Sequence, residues 1–292
     1  MTSILTNTSA MSALQALRNV NSNLSKTQNA VSSGLKVGKA ADNVAYWSIS
    51  TTMKSDNKAL SAATDALGVG AAKVDTAYAA MDSAKDVVNE IKAKLTTASE
   101  SSVDKTQVQL EIGKLQEQLS SIGQSASFSG ENWVVKAAGS STTVVDGFIR
   151  NSDGTVKITT ASYEAGSYAM FSAISGGVGT GGVLGSVMSI SLSATTTQGQ
   201  IDTYMTTVET ALKKLTKGAA AVGALSKRIE MQDTFSKQLS DAQKSGISRL
   251  VDANMEEESA KLSALQTQQQ LAVQSLSIAN SSSQQLLSLF RG

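Results

Sequence analysis

A repeat of large apolar side chains at every seventh residue constrains this chain most. Its members are Met53, Leu60, Leu67, Val74, Met81, Val88 and Leu95. Three residues after each comes a second position, which is Ala or Gly in five of seven cases: Asp56, Ala63, Gly70, Ala77, Ala84, Ile91 and Ala98. Such a repeat is typical of a helix in a coiled coil, and the small residues let a neighbouring helix approach closely. It predicts a helix from about Tyr46 to Ala98, on the order of 75 Å long.

Two further apolar stripes at helical spacing predict two more helices. The first follows a capping segment at residues 102–106 and consists of Val108, Ile112, Leu115, Leu119 and Ile122. The second begins near Ile201 and continues to Leu239. The 292-residue chain contains no proline, so nothing in its covalent structure interrupts helices of this length.

The middle of the chain has a different composition. Residues 131–200 hold 11 of the 22 glycines and only seven charged side chains. The segments 133–135, 142–145 and 187–192 favour strands, and Asp153-Gly154 favours a turn between strands. The glycine-rich segment 175–182 lacks the Gly-Lys-Ser/Thr of a phosphate-binding loop, so we expect a flexible surface loop there.

Both ends of the chain carry apolar stripes almost without charge. Arg18 is the only charged residue among residues 1–25, and residues 262–290 have none. A helix that faces solvent normally displays Lys and Glu opposite its apolar stripe. We therefore expect both terminal helices to be enclosed by other subunits or to line a narrow water-filled core. The predicted subunit contacts are Leu14, Leu17, Leu24, Val31, Leu262, Leu265, Leu276, Leu286 and Phe290.

The absence of certain residue types excludes most enzyme classes. The chain has no His and no Cys, which removes histidine acid–base catalysis, cysteine nucleophiles and the usual zinc and copper ligands. Serine–lysine or paired-carboxylate catalysis stays open on composition, but no spacing brings such groups together. We expect no catalytic, cofactor-binding or metal site. A net charge of +1 and the lack of an 18-residue apolar run favour neither nucleic acid nor a membrane as partner.

Two sets of short motifs, one towards each end of the chain, are the most specific words in the sequence. Towards the amino terminus these are Ser32-Ser33-Gly34-Leu35-Lys36-Val37, Ala40, Asp42, Ala45 and Ile49. Towards the carboxy terminus they are Ser248-Arg249-Leu250-Val251-Asp252-Ala253, Glu258, Gln266, Leu286, Leu287 and Leu289-Phe290-Arg291. Both sets resemble the signatures of bacterial flagellins, and Phe128-Ser129-Gly130 is similar to the Phe-Asn-Gly turn of that family.

The sequence departs from the family pattern in three places. Asn43 and Asn254 stand where the family commonly has Asp, so we do not expect salt bridges that those acids would make. Tyr46 and Trp47 replace a Gly and a small polar residue, which indicates altered packing at that point. The two asparagines and the short central segment favour the alphaproteobacterial branch of the family.

The resemblance implies a mainly α fold, in which both flanks form a long coiled-coil helical rod with a small β-containing insert. It implies an inner terminal-helix domain (residues 1–40 and 250–292), a helical rod domain (41–130 and 200–249) and a variable outer insert (131–199). The implied function is that of a structural subunit, secreted by type III export, which polymerises into the hollow helical filament that drives motility.

The implied partners are further copies of the chain, other flagellins, the flagellar export apparatus, an export chaperone, and the cap and junction proteins. The implied location is the extracellular filament. Two alternatives stay open at this point. One is a hook–filament junction protein, and the other is a secreted translocator or adhesin with amphipathic ends.

Overall fold

A computed structural model describes the backbone of residues 7–289 and the side chains of residues 7–281. The described residues are mainly helical, with short strands confined to the central part of the sequence. The helices are α1 (Thr8–Ser33), α2 (Val44–Ala98), α3 (Lys105–Ser125), α4 (Ala165–Tyr168), α5 (Gly185–Met188), α6 (Gln198–Val251) and α7 (Met255–Leu289). The strands are β1 (Ser127–Phe128), β2 (Glu131–Asn132), β3 (Thr142–Arg150), β4 (Val156–Tyr163), β5 (Ala173–Ser175) and β6 (Val178–Thr180).

The three helices predicted between residues 46 and 240 are confirmed as α2, α3 and α6. From Leu60 to Ala98, every position of the seven-residue repeat in α2 is buried. Asp104 caps α3, since its carboxylate accepts the N–H of Thr106 at 2.8 Å. The predicted mainly α fold with a small strand-containing centre is therefore confirmed.

The chain forms two compact units. The terminal unit consists of residues 1–57 and 241–292, and the central unit of residues 58–240. Both α2 and α6 contribute a segment to each unit. The division into inner, rod and outer domains proposed from the sequence stays a prediction.

The central unit has an extensive apolar core to which the central insert contributes. Met170, Phe171 and Leu184 of the insert are fully buried in the same cluster as the repeat of α2 and the apolar stripes of α3 and α6. The ring of Phe171 lies so close to Gly123 and Gly179 that a Cβ atom there would stand 2.9 Å and 2.5 Å from it. The insert thus packs as part of the central unit.

The predicted strand at residues 142–145 and two predicted turns are confirmed. β3 pairs with β4 in an antiparallel hairpin whose connection includes Gly154, with a bulge at Asp146. β1 pairs with β2 across Ser129 and Gly130, both of which have left-handed backbone conformations (φ 51° and 82°). Left-handed conformations at both central residues are typical of two-residue hairpin turns.

Three predictions for the insert are wrong. Residues 133–135 make only an isolated bridge, between Val135 and Phe171. Residues 187–192 are not a strand, because α5 occupies the start of that segment and the side-chain amide of Gln116 donates to the carbonyls of Val187 and Ile190 (2.9 and 3.0 Å). These bonds satisfy carbonyl groups that a neighbouring strand would otherwise pair.

The third error concerns the glycine-rich segment 175–182, which is an ordered hairpin instead of a flexible loop. β5 and β6 pair across Gly176 and Gly177, both with positive φ angles. The N–H of Gly179 donates to the Ser120 hydroxyl at 3.1 Å, which fastens the hairpin to α3. The glycines serve a tight turn and a close approach of backbone to Phe171.

Two glycines in one turn of α2 allow a matched test of this packing. A Cβ on Gly70 would stand 2.1 Å from a methyl carbon of Val144 in β3, whereas a Cβ on Gly68 would meet nothing within 4 Å. We expect Gly70→Ala to lower the free energy of unfolding by about 1–3 kcal/mol through overpacking. Gly68→Ala should raise it by about 0.5–1 kcal/mol through helix propensity. Urea unfolding of both variants measures the difference, and equal effects would contradict the packing of β3 on α2.

Tyr163 makes the central unit less stable at high pH. Its ring stacks on that of Trp133 with centroids 5.9 Å apart, and burial raises the pKa of the phenol to about 12. The pKa of a tyrosine in the unfolded chain is about 10, so Tyr163 releases its proton less readily in the folded state than in the unfolded state. The stabilisation is complete below about pH 10 and is lost as the pH rises towards 12. We expect wild type to lose stability relative to Tyr163→Phe across that window, and parallel pH profiles would refute the assignment.

Candidate assembly interface

Helices α1 and α7 pack along each other in the terminal unit, and both have defined beginnings. The side chain of Asn7 accepts the N–H of Ala10 (2.9 Å) and caps α1. The side chain of Asn254 accepts the N–H of Glu256 (3.2 Å) and caps α7. Asn is as effective as Asp in this role, so the substitution at Asn254 preserves the cap.

A short backbone pairing joins the end of α1 to the start of α7. Leu35 and Asp252 form an isolated antiparallel bridge. The N–H of Lys36 donates to the carbonyl of Val251, and the N–H of Ala253 donates to the carbonyl of Gly34, both at 2.8 Å. Gly34 ends α1 in the left-handed conformation (φ 73°) that glycine adopts without strain. The pairing fixes where the two terminal helices begin to run together.

The least exposed positions of α1 and α7 follow the predicted stripes. In α1 they are Ala10, Ala13, Leu17, Val20, Leu24, Thr27, Ala30 and Val31. In α7 they are Glu258, Leu262, Leu265, Gln269, Ala272, Leu276 and Ala279. These positions recur at steps of three and four, so one face of each helix is turned to the other. Two hydrogen bonds cross between the helices, from Asn7 to the Ala279 carbonyl (2.9 Å) and from Gln269 to Asn21 (2.7 Å).

The structure brings most of the predicted contact residues together along this pair. Leu24 is buried, and the other members on the facing surfaces are half-buried: Leu17, Val31, Leu262, Leu265 and Leu276. Leu14 lies outside the facing stripe and is 37% exposed. The side chain of Leu286 and all of Phe290 lie outside the described residues.

The terminal unit buries few apolar side chains and exposes many. Among the described residues of this unit, the buried ones are Leu24, Val37, Ile247 and Val251. The large apolar side chains that stay exposed are Met11, Leu14, Val44, Tyr46, Trp47, Ile49, Met255, Leu271, Val273 and Ile278. Burying one such side chain contributes about 1.5–3 kcal/mol. Large exposed apolar side chains in this number are typical of a protein–protein contact.

Charged groups are concentrated at the start of α7. Glu256, Glu257 and Glu258 lie in its first turn, where acidic side chains interact favourably with the helix dipole. Lys261 pairs with Glu257 at 2.9 Å and Glu258 at 3.2 Å, and its hydrogen bond lowers the pKa of Glu257. Beyond Lys261 the exposed face of α7 has only uncharged side chains. A neighbouring molecule can therefore make apolar contacts and uncharged hydrogen bonds with this face, but no ion pairs.

No three His, Cys, Asp or Glu side chains within residues 7–281 come together in a way that could hold a metal ion. No helix in the described part of the chain has the length and apolar character needed to cross a bilayer.

Sequence reasoning missed the exposed apolar positions outside the two stripes. These are Met11, Leu271, Val273 and Ile278 on the terminal helices, and the start of α2. A signal was present, because the apolar residues of α7 outnumber those that one facing stripe can accommodate. Only the packing shows which of them the chain itself covers.

Comparison with known proteins gives matches at both ends and over the full length. The family model of the bacterial flagellin N-terminal helical region matches residues 4–138, and that of the C-terminal helical region matches residues 205–290. Flagellin C of Rhizobium meliloti strain 1021 is 45% identical over 320 aligned residues, which cover all of both chains. Flagellin A of the same strain is 42% identical over 394, and the flagellin of Brucella melitensis biotype 1 is 43% identical over 295, also with complete coverage of both chains.

Proposed function

We propose a mechanism of assembly for this chain, which belongs to the bacterial flagellin family, within its alphaproteobacterial branch. It is a structural subunit of the extracellular flagellar filament, and it is not an enzyme. Subunits of this family polymerise with copies of themselves. The matched relatives carry the name flagellin, which favours the filament subunit over the junction protein and the secreted translocator.

In the proposed mechanism, the paired terminal helices carry the main contacts between subunits. The support is that the terminal unit exposes more large apolar side chains than it buries, on both α1 and α7. The facing stripes, with Leu17, Leu24, Leu265 and Leu276, hold the two helices together within one subunit. The opposite faces of α1 and α7 then contact neighbouring subunits. Pairing and polymerisation are coupled, because neighbours supply apolar contacts that the isolated unit lacks.

The contact between subunits joins different surfaces and does not close. An interface in which one patch meets a different patch on the next copy generates an open helical polymer. Outward apolar residues occur at separate places of the terminal unit, such as Met255 at the first residue of α7 and Ile278 more than six turns further along that helix. Two distinct patches are what a polymer of this kind requires.

The domain roles follow the same proposal. The inner domain of residues 1–40 and 250–292 forms the polymer core, and residues 41–130 with 200–249 form the rod. Residues 131–199 face outwards. The support for the inner domain is the distribution of charge, since residues 262–290 have no charged side chain, whereas the central unit carries ion pairs such as Lys92–Glu209 (2.7 Å) and Arg228–Asp146 (2.6 Å).

Transient partners belong to the proposal as well. An export chaperone, the export apparatus and the cap would act on the chain before its terminal unit has neighbours. The exposed apolar side chains of α7, including Leu271 and Val273, support a chaperone that covers the carboxy-terminal helix. Other flagellins and the junction proteins would meet the same surfaces in the finished filament.

A charge in the facing stripe tests the role of the helix pair. We expect Leu276→Lys to abolish polymerisation, because the ammonium group enters a surface that α1 half-buries and that has no carboxylate nearby on α7. Urea unfolding of the central unit should stay unchanged, since Leu276 lies in the terminal unit.

Leu276→Met is the matched control, because it preserves the apolar character and roughly the volume of the side chain. This variant should polymerise with nearly the wild-type critical concentration. Filaments of normal yield and length from Leu276→Lys, measured by sedimentation and electron microscopy, would refute the assignment of this stripe.

A further inference from the structure

The first two turns of α2 expose four large apolar side chains in the terminal unit. Residues 44–49 contain Val44, Tyr46, Trp47 and Ile49, all of them exposed, and we call this segment the aromatic turn. Trp47 is 38% exposed, whereas the second tryptophan, Trp133, is 2% exposed. No charged residue occurs between Asp42 and Lys54. The aromatic turn is therefore an uncharged apolar surface that the described residues cover only in part.

The position of Tyr46 and Ile49 in the repeat explains why they need cover. They lie seven residues before Met53 and Asp56, so they continue the face of α2 that packs against α6 further along. Both are exposed, although Met53, one repeat later, packs against Ile247 and Val251. The buried face of α2 thus extends beyond the cover that the chain provides.

The end of α6 accounts for the exposure of Tyr46. Asn57 donates to Gln243 at 3.3 Å, and Met53 lies 3.1 Å from the place of a Cβ on Gly246, so α2 and α6 run antiparallel here. Continuing this register puts Ile49 level with the last turn of α6 and Tyr46 beyond its end at Val251. The residues that follow, 252–253, pair with the segment after α1 instead.

The aromatic turn is held in a fixed conformation before anything binds it. The Asn43 side chain accepts the N–H of Tyr46 at 3.0 Å, which caps the helix. The buried hydroxyl of Ser50 donates to the carbonyl of Trp47 at 3.0 Å. Rigid aromatic side chains on an ordered helix lose little conformational entropy on binding and are frequent anchors of interfaces.

We propose that the aromatic turn is a docking surface for a second copy of this chain. A second copy offers a surface of matching chemistry, namely the outer face of α7, which is uncharged and exposes Leu271 and Ile278. Two uncharged apolar surfaces that lack cover in the same unit complement each other without burying an unpaired charge. The inference rests on the proposed polymerisation and adds a contact outside the α1–α7 pair.

Tryptophan quenching in wild-type protein measures this contact. Trp47 and Trp133 are the two tryptophans of the chain, and only Trp47 is accessible in the described structure. In monomers we expect acrylamide to reach about half of the tryptophan emission, the share of one side chain in two. In filaments the accessible fraction should fall close to zero, and the emission should shift to shorter wavelength.

Trp47→Phe is the matched control, since it leaves only the buried Trp133. Its emission should resist acrylamide before and after polymerisation is induced. Filaments whose Trp47 stays as accessible as in the monomer would overturn the inference while leaving the proposed function intact. Absence of any filament would instead contradict the proposed function, and the inference with it.

A photo-crosslinking amino acid in place of Trp47 identifies what covers the aromatic turn. Irradiated filaments should give covalent dimers on a denaturing gel, and irradiated monomers should not. Crosslinks confined to one chain would overturn the proposal, because they would show that the chain covers its own aromatic turn during assembly. Crosslinks to lipid, with vesicles of anionic lipid added to monomers as a competitor, would overturn it as well.

Discussion

Apolar surface that one copy of the chain cannot cover determines how this protein works. In the terminal unit, α1 and α7 turn one face to each other and leave residues such as Met11, Leu271 and Ile278 exposed. Hydrophobic burial is the main favourable contribution to folding. A unit with so few buried apolar side chains is therefore expected to gain most of its stability when apolar side chains of neighbouring subunits cover its exposed ones. In the proposed mechanism, polymerisation completes the fold of the terminal unit.

The central unit shows the contrast within one sequence. There the repeat of α2 is covered on its whole length from Leu60, by α6, α3 and the insert, and the close approach at Gly70 and Gly123 leaves no room for larger side chains. The same repeat continues towards the amino terminus, where α6 ends at Val251 and Tyr46 is 44% exposed. Where a helix ends therefore decides which residues become available to a second copy.

Periodicity predicted the parts of the structure that depend on it. The α2 repeat, the helices α3 and α6, and the facing stripes with Leu24 and Leu276 could all be read from spacing, because each long helix must bury one stripe. The insert was harder, since the segment 187–192 is apolar like a strand but its carbonyls are bound by Gln116, a residue far away in sequence. Likewise, the exposure of Tyr46 depends on where the distant helix α6 ends, which the local sequence does not show.

Hydrogen exchange at the amides of α1 and α7, compared between monomers and filaments of the same protein, measures whether neighbouring subunits stabilise these helices. We expect fast exchange in these two helices of the monomer, slow exchange in the α2 segment from Leu67 to Leu95, and strong protection of both terminal helices in the filament. Terminal helices that are already as protected in the monomer as the α2 segment would contradict it.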